Sequence, residues 1–333
     1  MTVLEAIQKS AEFLAKKGVE SPRLQTELLL AHLLKLPRMK LYLNFERVLT
    51  PAETDALREL VRRRGQREPL QHITGSTSFC GFEIAVNRHA LVPRPETELL
   101  AELGWEFLNR LSEGRVPRAP NSTESENGAS QSSALRVLDF GTGTGCIAIA
   151  LAAKCPSTKI IATDVSPDAL ALAKENTARN NVAERIEFVQ SDGFAAFLPE
   201  GRVTRAPNSE IETKISGSCD SPLRKMEFDL IISNPPYIPS AEIAALQSEV
   251  RDFDPRGALD GGADGLDFYR KLAAEAKPFL KPGGKIMLEF GDGQADAIRT
   301  IFEAEKWIVE AVREDYSHRQ RILIAKSSSS SSS

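Results

Sequence analysis

Cysteine and histidine are scarce in this chain, and long apolar runs are absent. The four cysteines among 333 residues form no C-x-x-C pair, and the four histidines do not cluster near them. This argues against a disulfide framework and against a zinc or other metal site, and free thiols favour a reducing cytoplasm. Charged residues interrupt each apolar run before about 18 residues, and the N-terminal segment lacks an apolar core. We therefore expect no membrane span and no signal peptide.

Positive charge is also in deficit over most of the chain. The sequence has 42 Lys and Arg against 46 Asp and Glu, a net charge of −4. Residues 1–90 hold 14 basic and 10 acidic residues, so the remainder holds 28 and 36. Such an acidic chain is not typical of nucleic-acid binding, and we expect no stable DNA binding. The basic excess near the N-terminus fits a solvated helix end, or a contact to RNA or an acidic partner; it lies mostly in Arg62, Arg63, Arg64 and Arg67.

Residues 1–70 have the spacing of a small bundle of three to five helices. Apolar residues recur every three or four positions in the first helix, which predicts one buried stripe. Ser21 before Pro22 predicts the N-cap and the first residue of a second helix. Thr50 with Glu53 three positions later predicts a capping box at a further helix.

Residues 71–92 change to the alternating pattern of a β-hairpin. The segment 82–86 alternates polar with apolar residues, and Gly75 and Gly81 punctuate the region. We interpret this hairpin as a linker that joins the helical bundle to a larger domain over residues 93–326.

From residue 135 onward, short apolar strands alternate with helical segments. This alternation predicts an α/β fold with a seven-stranded, mostly parallel, Rossmann-like sheet that is covered on both faces. The predicted strands are 135–140, 159–163, 185–190, 228–233, 285–290, 307–313 and 321–325.

Two stretches interrupt this rhythm, at residues 112–134 and 202–226. Both are rich in Ser, Asn, Pro and Gly, and they share a repeat: residues 113–122 read EGRVPRAPNS and residues 200–209 read EGRVTRAPNS. We interpret them as inserted, disordered surface loops. The serine-rich residues 327–333 are expected to form a disordered tail.

A glycine-rich turn follows the first predicted strand of the sheet; its residues are Gly141, Thr142, Gly143, Thr144 and Gly145. Glycine lets backbone N–H groups approach a ligand closely, and the G-x-G-x-G spacing differs from the dinucleotide pattern G-x-G-x-x-G. Asp164 ends the next strand, where a carboxylate can accept both hydroxyls of a ribose. Asp192 ends the third strand and could approach the amino group of an adenine. These positions predict a nucleoside-bearing cofactor at the C-terminal edge of the sheet.

A second motif, Asn234-Pro235-Pro236-Tyr237, follows the buried strand at 228–233. The two prolines fix an extended turn that has few N–H donors. The carboxamide oxygen of Asn234 and the carbonyl of Pro235 are then acceptors for the two N–H bonds of a planar NH2 group. Tyr237 offers an aromatic face against which such a group can lie.

Together these motifs resemble the class I S-adenosylmethionine methyltransferases that act on planar NH2 groups. Three further segments, REPLQ at 67–71, LVPRPETE at 91–98 and GGADGL at 261–266, are similar to the release factor glutamine methyltransferase family. The resemblance runs from residue 1 to about 326, apart from the two inserts. It implies S-adenosylmethionine as cofactor and a class 1 release factor as partner. The implied reaction is methylation of the side-chain nitrogen, N5, of the glutamine in the Gly-Gly-Gln motif.

The resemblance also implies roles for the cofactor residues. The turn from Gly141 to Gly145 would hold the methionine part of S-adenosylmethionine, Asp164 would hold the ribose, and Asp192 with Gly193 would border the adenine. Close relatives often carry a bulky aromatic residue at the position of Gly193. We expect that Phe194 could supply the adenine packing instead.

The same resemblance makes Asn234, Pro235 and Tyr237 the catalytic residues. With Pro236 they would bind the substrate glutamine, and Asn234 would also border the cofactor. Residues 1–70 would help to dock the release factor.

Three other functions remain open from the sequence. An amino methyltransferase acting on DNA adenine or RNA guanine would share the second motif, but the acidic methyltransferase region disfavours it. A non-catalytic ribosome-associated protein could keep the fold, although both motifs are intact. An NAD-dependent oxidoreductase is disfavoured by the glycine spacing.

Overall fold

The structure, a computed structural model, describes residues 1–114, 134–198 and 226–328. The first part is a helical bundle with its own apolar cluster, in which Ile7, Leu14 and Leu30 are buried. The helices are α1 Val3–Lys16, α2 Pro22–Leu34, α3 Arg38–Leu41, α4 Pro51–Gly65 and α5 Leu70–Thr74.

The helix starts in this bundle follow the sequence signals, with one exception. Thr50 and Glu53 form the predicted capping box at α4, because each side chain accepts a hydrogen bond from the other residue's backbone N–H. Helix α2 begins at Pro22 as predicted. Ser21, however, makes no side-chain cap hydrogen bond, since its backbone has a φ of 47° in the left-handed region.

The predicted hairpin is present and leads into a long helix, but it is shorter than predicted, because residues 71–74 belong to helix α5. Strands β1 Ser76–Phe79 and β2 Phe82–Ala85 pair antiparallel, and α6 spans Pro95–Gly114. The prediction that an inserted loop starts at residue 112 is wrong at this boundary. Helix α6 continues to Gly114 because Leu111 still packs against the apolar core.

Seven strands form one sheet, in the order β5-β4-β3-β6-β7-β9-β8. Strand β9 runs antiparallel to both of its neighbours, and the pairs among β3 to β7 are parallel, which confirms the predicted Rossmann-like fold. The strands are β3 Leu135–Phe140, β4 Thr158–Asp164, β5 Ile186–Gln190, β6 Phe228–Ser233, β7 Leu280–Glu289, β8 Trp307–Glu314 and β9 Gln320–Ser327. The serine tail was predicted to begin at residue 327, which is one residue too early, because Ser327 pairs with Trp307 inside the sheet.

Helices cover both faces of this sheet. Helix α6 packs with α7 Cys146–Lys154 in the apolar cluster on one face, and α10 Asp267–Glu275 packs with α11 Ala295–Ala304 in the cluster on the other. The remaining helices are α8 Pro167–Arg179 and the short α9 Ser248–Arg251. Because strands β3 to β7 are parallel, the turns that follow them meet at a single edge of the sheet.

Most of the predicted inserts, and the serines after residue 328, lie outside the described residues. Within residues 1–114, 134–198 and 226–328, no helix is long and apolar enough to cross a membrane. The described residues also contain no group of three or more His, Cys, Asp or Glu side chains that could hold a metal ion.

Candidate active site

The glycine-rich turn lies between β3 and α7 and is anchored to the end of β4. The N–H of Thr142 donates to the carbonyl oxygen of Thr163 at 2.8 Å, and the N–H of Gly143 donates to Oδ2 of Asp164 at 2.9 Å. Gly141 has a φ of +71°, and a Cβ placed on it would meet no atom within 4 Å. The backbone at Gly141 therefore borders open space, which fits a ligand laid against this part of the turn.

The end of the turn is tied to the hairpin through Asn176 of α8. Its Nδ2 donates to the carbonyl oxygens of Thr144 and Ala85, both at 3.0 Å, and its Oδ1 accepts from the N–H of Ala85 at 2.8 Å. Gly145 completes the turn, where a Cβ would lie 3.1 Å from the Cβ of Ala173. Asn176 and Ala173 thereby fix the turn against α8.

Asp139 lies beneath the turn in a fully buried position. The hydroxyl of Thr142 donates to its Oδ2 at 2.6 Å, whereas its Oδ1 has no hydrogen-bond partner among the described residues. Burial raises the pKa of Asp139 to about 7, against the lowering effect of the Thr142 hydroxyl. The protonation of this carboxyl therefore changes near neutral pH.

Asp164 stands at the end of β4, with its carboxylate beside the turn. Its oxygens accept from the N–H groups of Gly143 and Ser166, both at 2.9 Å. A carboxylate offers about four lone-pair sites, so acceptor capacity is left for the two hydroxyls of a ribose. The open space at Gly141 together with this half-buried acceptor fits the nucleoside-bearing cofactor that the sequence predicts.

Asp192 already has a partner, which the sequence did not suggest. Nζ of Lys271 on α10 donates to Oδ1 of Asp192 at 2.9 Å. The Lys271 side chain occupies the space in which a side chain at Gly193 would lie, since a Cβ there would be 2.5 Å from Cε of Lys271. The expectation that Phe194 packs against adenine is wrong: Phe194 is fully buried and stacks on Phe279 in the core.

The Asn-Pro-Pro-Tyr turn follows β6 at the same edge of the sheet. The hydroxyl of Ser233, the last residue of β6, donates to the carbonyl oxygen of Phe140 at 2.6 Å and so joins the ends of β6 and β3. Nδ2 of Asn234 donates to Oγ1 of Thr97 at 3.0 Å. Pro235 is buried, whereas Asn234 is partly exposed.

The segment 261–266 packs directly against this turn. A Cβ on Gly265 would lie 2.3 Å from the carbonyl oxygen of Tyr237, and a Cβ on Gly261 would lie 2.8 Å from that of Pro236. Nε2 of Gln294 also donates to the carbonyl oxygen of Tyr237 at 2.9 Å. These contacts hold the turn in place. Burial raises the pKa of Tyr237 to about 12, so its phenol stays protonated at neutral pH.

Glu289, the last residue of β7, lies behind Asn234. It is buried, and its Oε2 has no hydrogen-bond partner among the described residues. Burial raises the pKa of Glu289 to about 7, while hydrogen bonds from Thr97 and Asn234 act to lower it. The amide nitrogen of Asn234 is the end that donates to Thr97, and in its ionised form Glu289 can only accept hydrogen bonds from these groups.

Sequence reasoning did not identify Thr97, Glu289 or Lys271 as site residues. Thr97 does belong to the LVPRPETE segment, and Glu289 ends an apolar parallel strand as Asp164 does. The sequence therefore carried a signal for these two residues as candidate site residues. Lys271 lies on a helix remote in sequence from Asp192, and the sequence carries no sign of their contact.

The basic cluster near residue 64 is engaged within the chain. Arg62 and Arg63 pair with Glu59 and Glu68 of the same region. Arg64 and Arg67 instead contact the two carboxylate oxygens of Glu249 on α9, in the larger domain over residues 93–326, each at 2.7 Å. These arginines join the helical bundle to the segment that follows the Asn-Pro-Pro-Tyr turn.

Comparisons with known proteins identify matching domain families and relatives for this chain. Residues 5–75 match the PrmC N-terminal domain family, and residues 128–203 match the methyltransferase small domain family. The chain is 41% identical over 301 residues to a release factor glutamine methyltransferase of Geobacter sulfurreducens, covering 90% of this chain and 88% of that protein. It is 37% identical over 322 residues to a protein of the same name from Chlorobaculum tepidum, covering 97% and 96%.

A methyltransferase structure from Pyrococcus furiosus is similar in fold. It covers 74% of this chain and 90% of its own, with 20% sequence identity and a TM-score of 0.43.

Proposed function

The chain belongs to the release factor glutamine methyltransferase family, and from that premise we propose its reaction in detail. A methyl group would be transferred from S-adenosylmethionine to the side-chain nitrogen, N5, of the glutamine in the Gly-Gly-Gln motif of a class 1 release factor; the C–S bond breaks to leave S-adenosylhomocysteine, and the nitrogen loses one proton to solvent. The observation that supports this most directly is the orientation of Asn234: its amide nitrogen donates to Thr97, so its oxygen is left to accept from a substrate NH2 group.

The proposed cofactor site is the glycine-rich turn with the strand ends beside it. S-adenosylmethionine, when bound, supplies an electrophilic methyl group on a sulfonium. The backbone from Gly141 to Gly145 would hold the methionine part and Asp164 would accept from the ribose hydroxyls. Asp192 would approach the adenine amino group with Gly193 beside it, and Asn234 would border the methyl group.

The proposed substrate site is the Asn-Pro-Pro-Tyr turn. An amide nitrogen is a poor nucleophile, because its lone pair is delocalised into the carbonyl. Oδ1 of Asn234 and the carbonyl oxygen of Pro235 accept hydrogen bonds from the two N–H groups of the substrate amide. Pro236 shapes the turn, and the ring of Tyr237 lies against the amide plane. As the nitrogen gains positive charge these hydrogen bonds strengthen, so they stabilise the transition state more than the ground state.

Orientation contributes a further large effect. Holding the nitrogen in line with the methyl group and its leaving sulfur can lower the barrier by roughly 7–11 kcal/mol at best. The contacts of Gly261, Gly265 and Gln294 with the turn are what give the chain such a fixed geometry. We propose that the helical residues 1–70 contact the release factor outside the Gly-Gly-Gln loop.

The nucleic-acid alternative is not favoured. Relatives that match most of the chain carry the release factor glutamine methyltransferase name in several bacteria. Nothing in the described site favours a base over a glutamine side chain.

One assay tests the substrate. Purified protein is given methyl-labelled S-adenosylmethionine together with a class 1 release factor, with DNA or with RNA. We expect label only in the release factor, in the peptide that contains Gly-Gly-Gln, and none in a release factor whose motif reads Gly-Gly-Ala. Label in DNA or RNA alone would overturn the proposal.

The cofactor assignment has its own test in calorimetry. Asp164→Ala should weaken S-adenosylmethionine binding by about 1–3 kcal/mol, the usual scale for losing hydrogen bonds to a charged group. Asp168→Ala is the matched control, because Asp168 lies on the next helix with a largely exposed carboxylate. Equal affinities for the two variants would remove Asp164 from the proposed site.

A further inference from the structure

Behind the Asn-Pro-Pro-Tyr turn, Asn234 contacts Thr97, and both side chains act on the pKa of the buried Glu289 as hydrogen-bond donors. Thr97 comes from the first turn of α6, Asn234 follows β6, and Glu289 ends β7. Thr97 is 3% exposed and Glu289 is 2% exposed, so no bulk water competes for their hydrogen bonds. The hydroxyl oxygen of Thr97 accepts from Nδ2 of Asn234 at 3.0 Å.

The orientation of the Asn234 carboxamide is not decided by its shape. Its oxygen and nitrogen ends are nearly the same size, so a flip by 180° costs little in packing. A threonine hydroxyl does not decide it either, because it can accept from the nitrogen or donate to the oxygen. Only the oxygen end, however, can accept a hydrogen bond from a substrate NH2 group.

A carboxylate removes this ambiguity, because it has no hydrogen to donate. With Glu289 ionised, Thr97 must direct its hydroxyl hydrogen toward the carboxylate. The lone pairs of that hydroxyl are then free to accept from Nδ2 of Asn234. The chain of donors runs in one direction, from Asn234 through Thr97 to Glu289.

We propose that Glu289 is a positioning residue for methyl transfer: directly and through Thr97, it holds the Asn234 amide nitrogen inward, so that the carboxamide oxygen faces the substrate. This inference rests on the proposed function, since it adds a residue to the same reaction. Glu289 does not touch the reacting atoms in this arrangement; it acts through Asn234.

The charge state of Glu289 gives the inference a distinctive signature. Burial raises its pKa to about 7, Glu96 on α6 raises it further, and Arg321 on β9 lowers it. Glu289 in turn helps to raise the pKa of Tyr237 and of Tyr269, while Arg94 acts to lower the pKa of Tyr237. Below about pH 7 the protonated carboxyl can donate to Thr97, which then can donate to the oxygen of a flipped Asn234. Turnover should therefore fall as pH decreases through this value.

The experiment compares turnover of the release factor at saturating S-adenosylmethionine from pH 6 to pH 9. Glu289→Gln should lower kcat by about tenfold to a hundredfold at pH 8, the scale expected when a reacting group is misplaced. It should also abolish the decline toward pH 6, while KM for the release factor and the calorimetric affinity for S-adenosylmethionine change little. Thr97→Val should lower kcat similarly, and Thr97→Ser, which keeps the hydroxyl, should restore it.

Two controls separate this role from other effects of burial. Asp229→Asn makes the same chemical change in a buried carboxylate at the opposite end of β6, where Asp229 pairs with Lys281, and it should leave kcat and the pH profile unchanged. The pKa of Asp139 is also raised to about 7, so its titration could change cofactor binding in the same pH range. Measuring kcat at saturating S-adenosylmethionine removes that effect from the pH profile.

The outcomes distinguish the inference from the function on which it rests. An active wild-type protein whose Glu289→Gln variant keeps the same kcat and the same pH profile overturns the role of Glu289 alone. A wild-type protein that does not methylate the release factor overturns both. Where Glu289→Gln fails to fold, the Thr97→Val and Thr97→Ser pair decides, and equal kcat values for that pair reject the inference.

Discussion

Two buried carboxyl groups lie at or next to the ends of parallel strands in this molecule: Glu289 is the last residue of β7, and Asp139 is the residue before the last in β3. Burial raises the pKa of each to about 7, well above the unfolded values near 4. The folded protein therefore binds these protons more tightly than the unfolded chain does. The contribution to stability is complete below about pH 4 and is lost as pH rises through about 7. Both groups lie at the proposed site. The ionised form of Glu289 that the proposed reaction needs is therefore the form that lowers the stability of the fold.

This competition is measurable through Glu289→Gln. Relative to wild type, the variant should gain in midpoint of thermal unfolding as pH rises from 5 to 8, because wild type alone must then bury a charge. Asp55→Asn, which neutralises an exposed carboxylate on α4, should show no such pH-dependent difference. A difference between Glu289→Gln and wild type that stays constant from pH 5 to pH 8 would contradict the raised pKa.

Asn234 is the residue at which a single substitution should affect activity most selectively. Asn234→Ala removes one acceptor for the substrate NH2 group, and methyl transfer should fall by roughly 10²–10³. Asn234→Asp keeps an acceptor of similar shape and should retain more activity than Ala. For Asn234→Ala, calorimetry should show a much smaller change in S-adenosylmethionine affinity than in methyl transfer, whereas Asn234→Asp also adds a negative charge near the sulfonium. Wild-type turnover in both variants would mean that this segment is only a turn.

At the scale of secondary structure, the strands were largely predictable because each is a short apolar run bounded by polar residues. Predicted and observed bounds agree at 135–140 and 228–233. Strand β7 begins five residues before its predicted start at residue 285, since the Lys-Pro-Gly-Gly stretch resembles a turn. It nevertheless stays extended, and Leu280 pairs with Phe228 across a register shift.

The contacts between elements were less predictable than the elements. Asp164 and Asn234 could be proposed because residues that end parallel strands share one edge of the sheet. The pairing of Asn234 with Thr97, and of Asp192 with Lys271, depends on how α6 and α10 pack on that edge. Spacing along a sequence does not contain that information.

The packing of segment 261–266 against the Asn-Pro-Pro-Tyr turn yields an element-scale prediction. In Gly265→Ala the added Cβ would lie 2.3 Å from the carbonyl oxygen of Tyr237, at a φ of +77°, so the turn must shift. We expect kcat to fall by roughly 10²-fold, with little change in cofactor affinity. The matched control is Gly257→Ala, because a Cβ there meets no atom within 4 Å. Equal kcat values for the two variants would show that the turn tolerates displacement.

At the scale of the whole molecule, ion pairs join the helical bundle to the larger domain over residues 93–326. The carboxylate of Glu249 pairs with Arg64 and Arg67. Nearby, Arg94 donates to the buried Asp254 at 2.7 Å. Burial acts to raise the pKa of Glu249, but hydrogen bonds from the two arginines outweigh it and the pKa is lowered. Glu249 therefore stays ionised across the neutral range.

Loss of this junction should be felt in global stability. Glu249→Gln leaves the buried Arg64 without its carboxylate and should destabilise the protein by about 1.5–3 kcal/mol in urea denaturation. Glu59→Gln removes a partner of the exposed pair with Arg62 and should change the free energy of unfolding far less than Glu249→Gln does. If both variants unfold at the same urea concentration, the junction contributes no more than a surface ion pair.

The junction also limits how freely the two parts of this chain can be exchanged with those of relatives. A transplanted bundle without arginines at the positions of Arg64 and Arg67 would leave Glu249 facing it as an unmatched anion. A chimaera should therefore regain stability only when the residues on both sides of the junction are exchanged together. The bundle and the larger domain form a matched pair, and the bundle is not an interchangeable module.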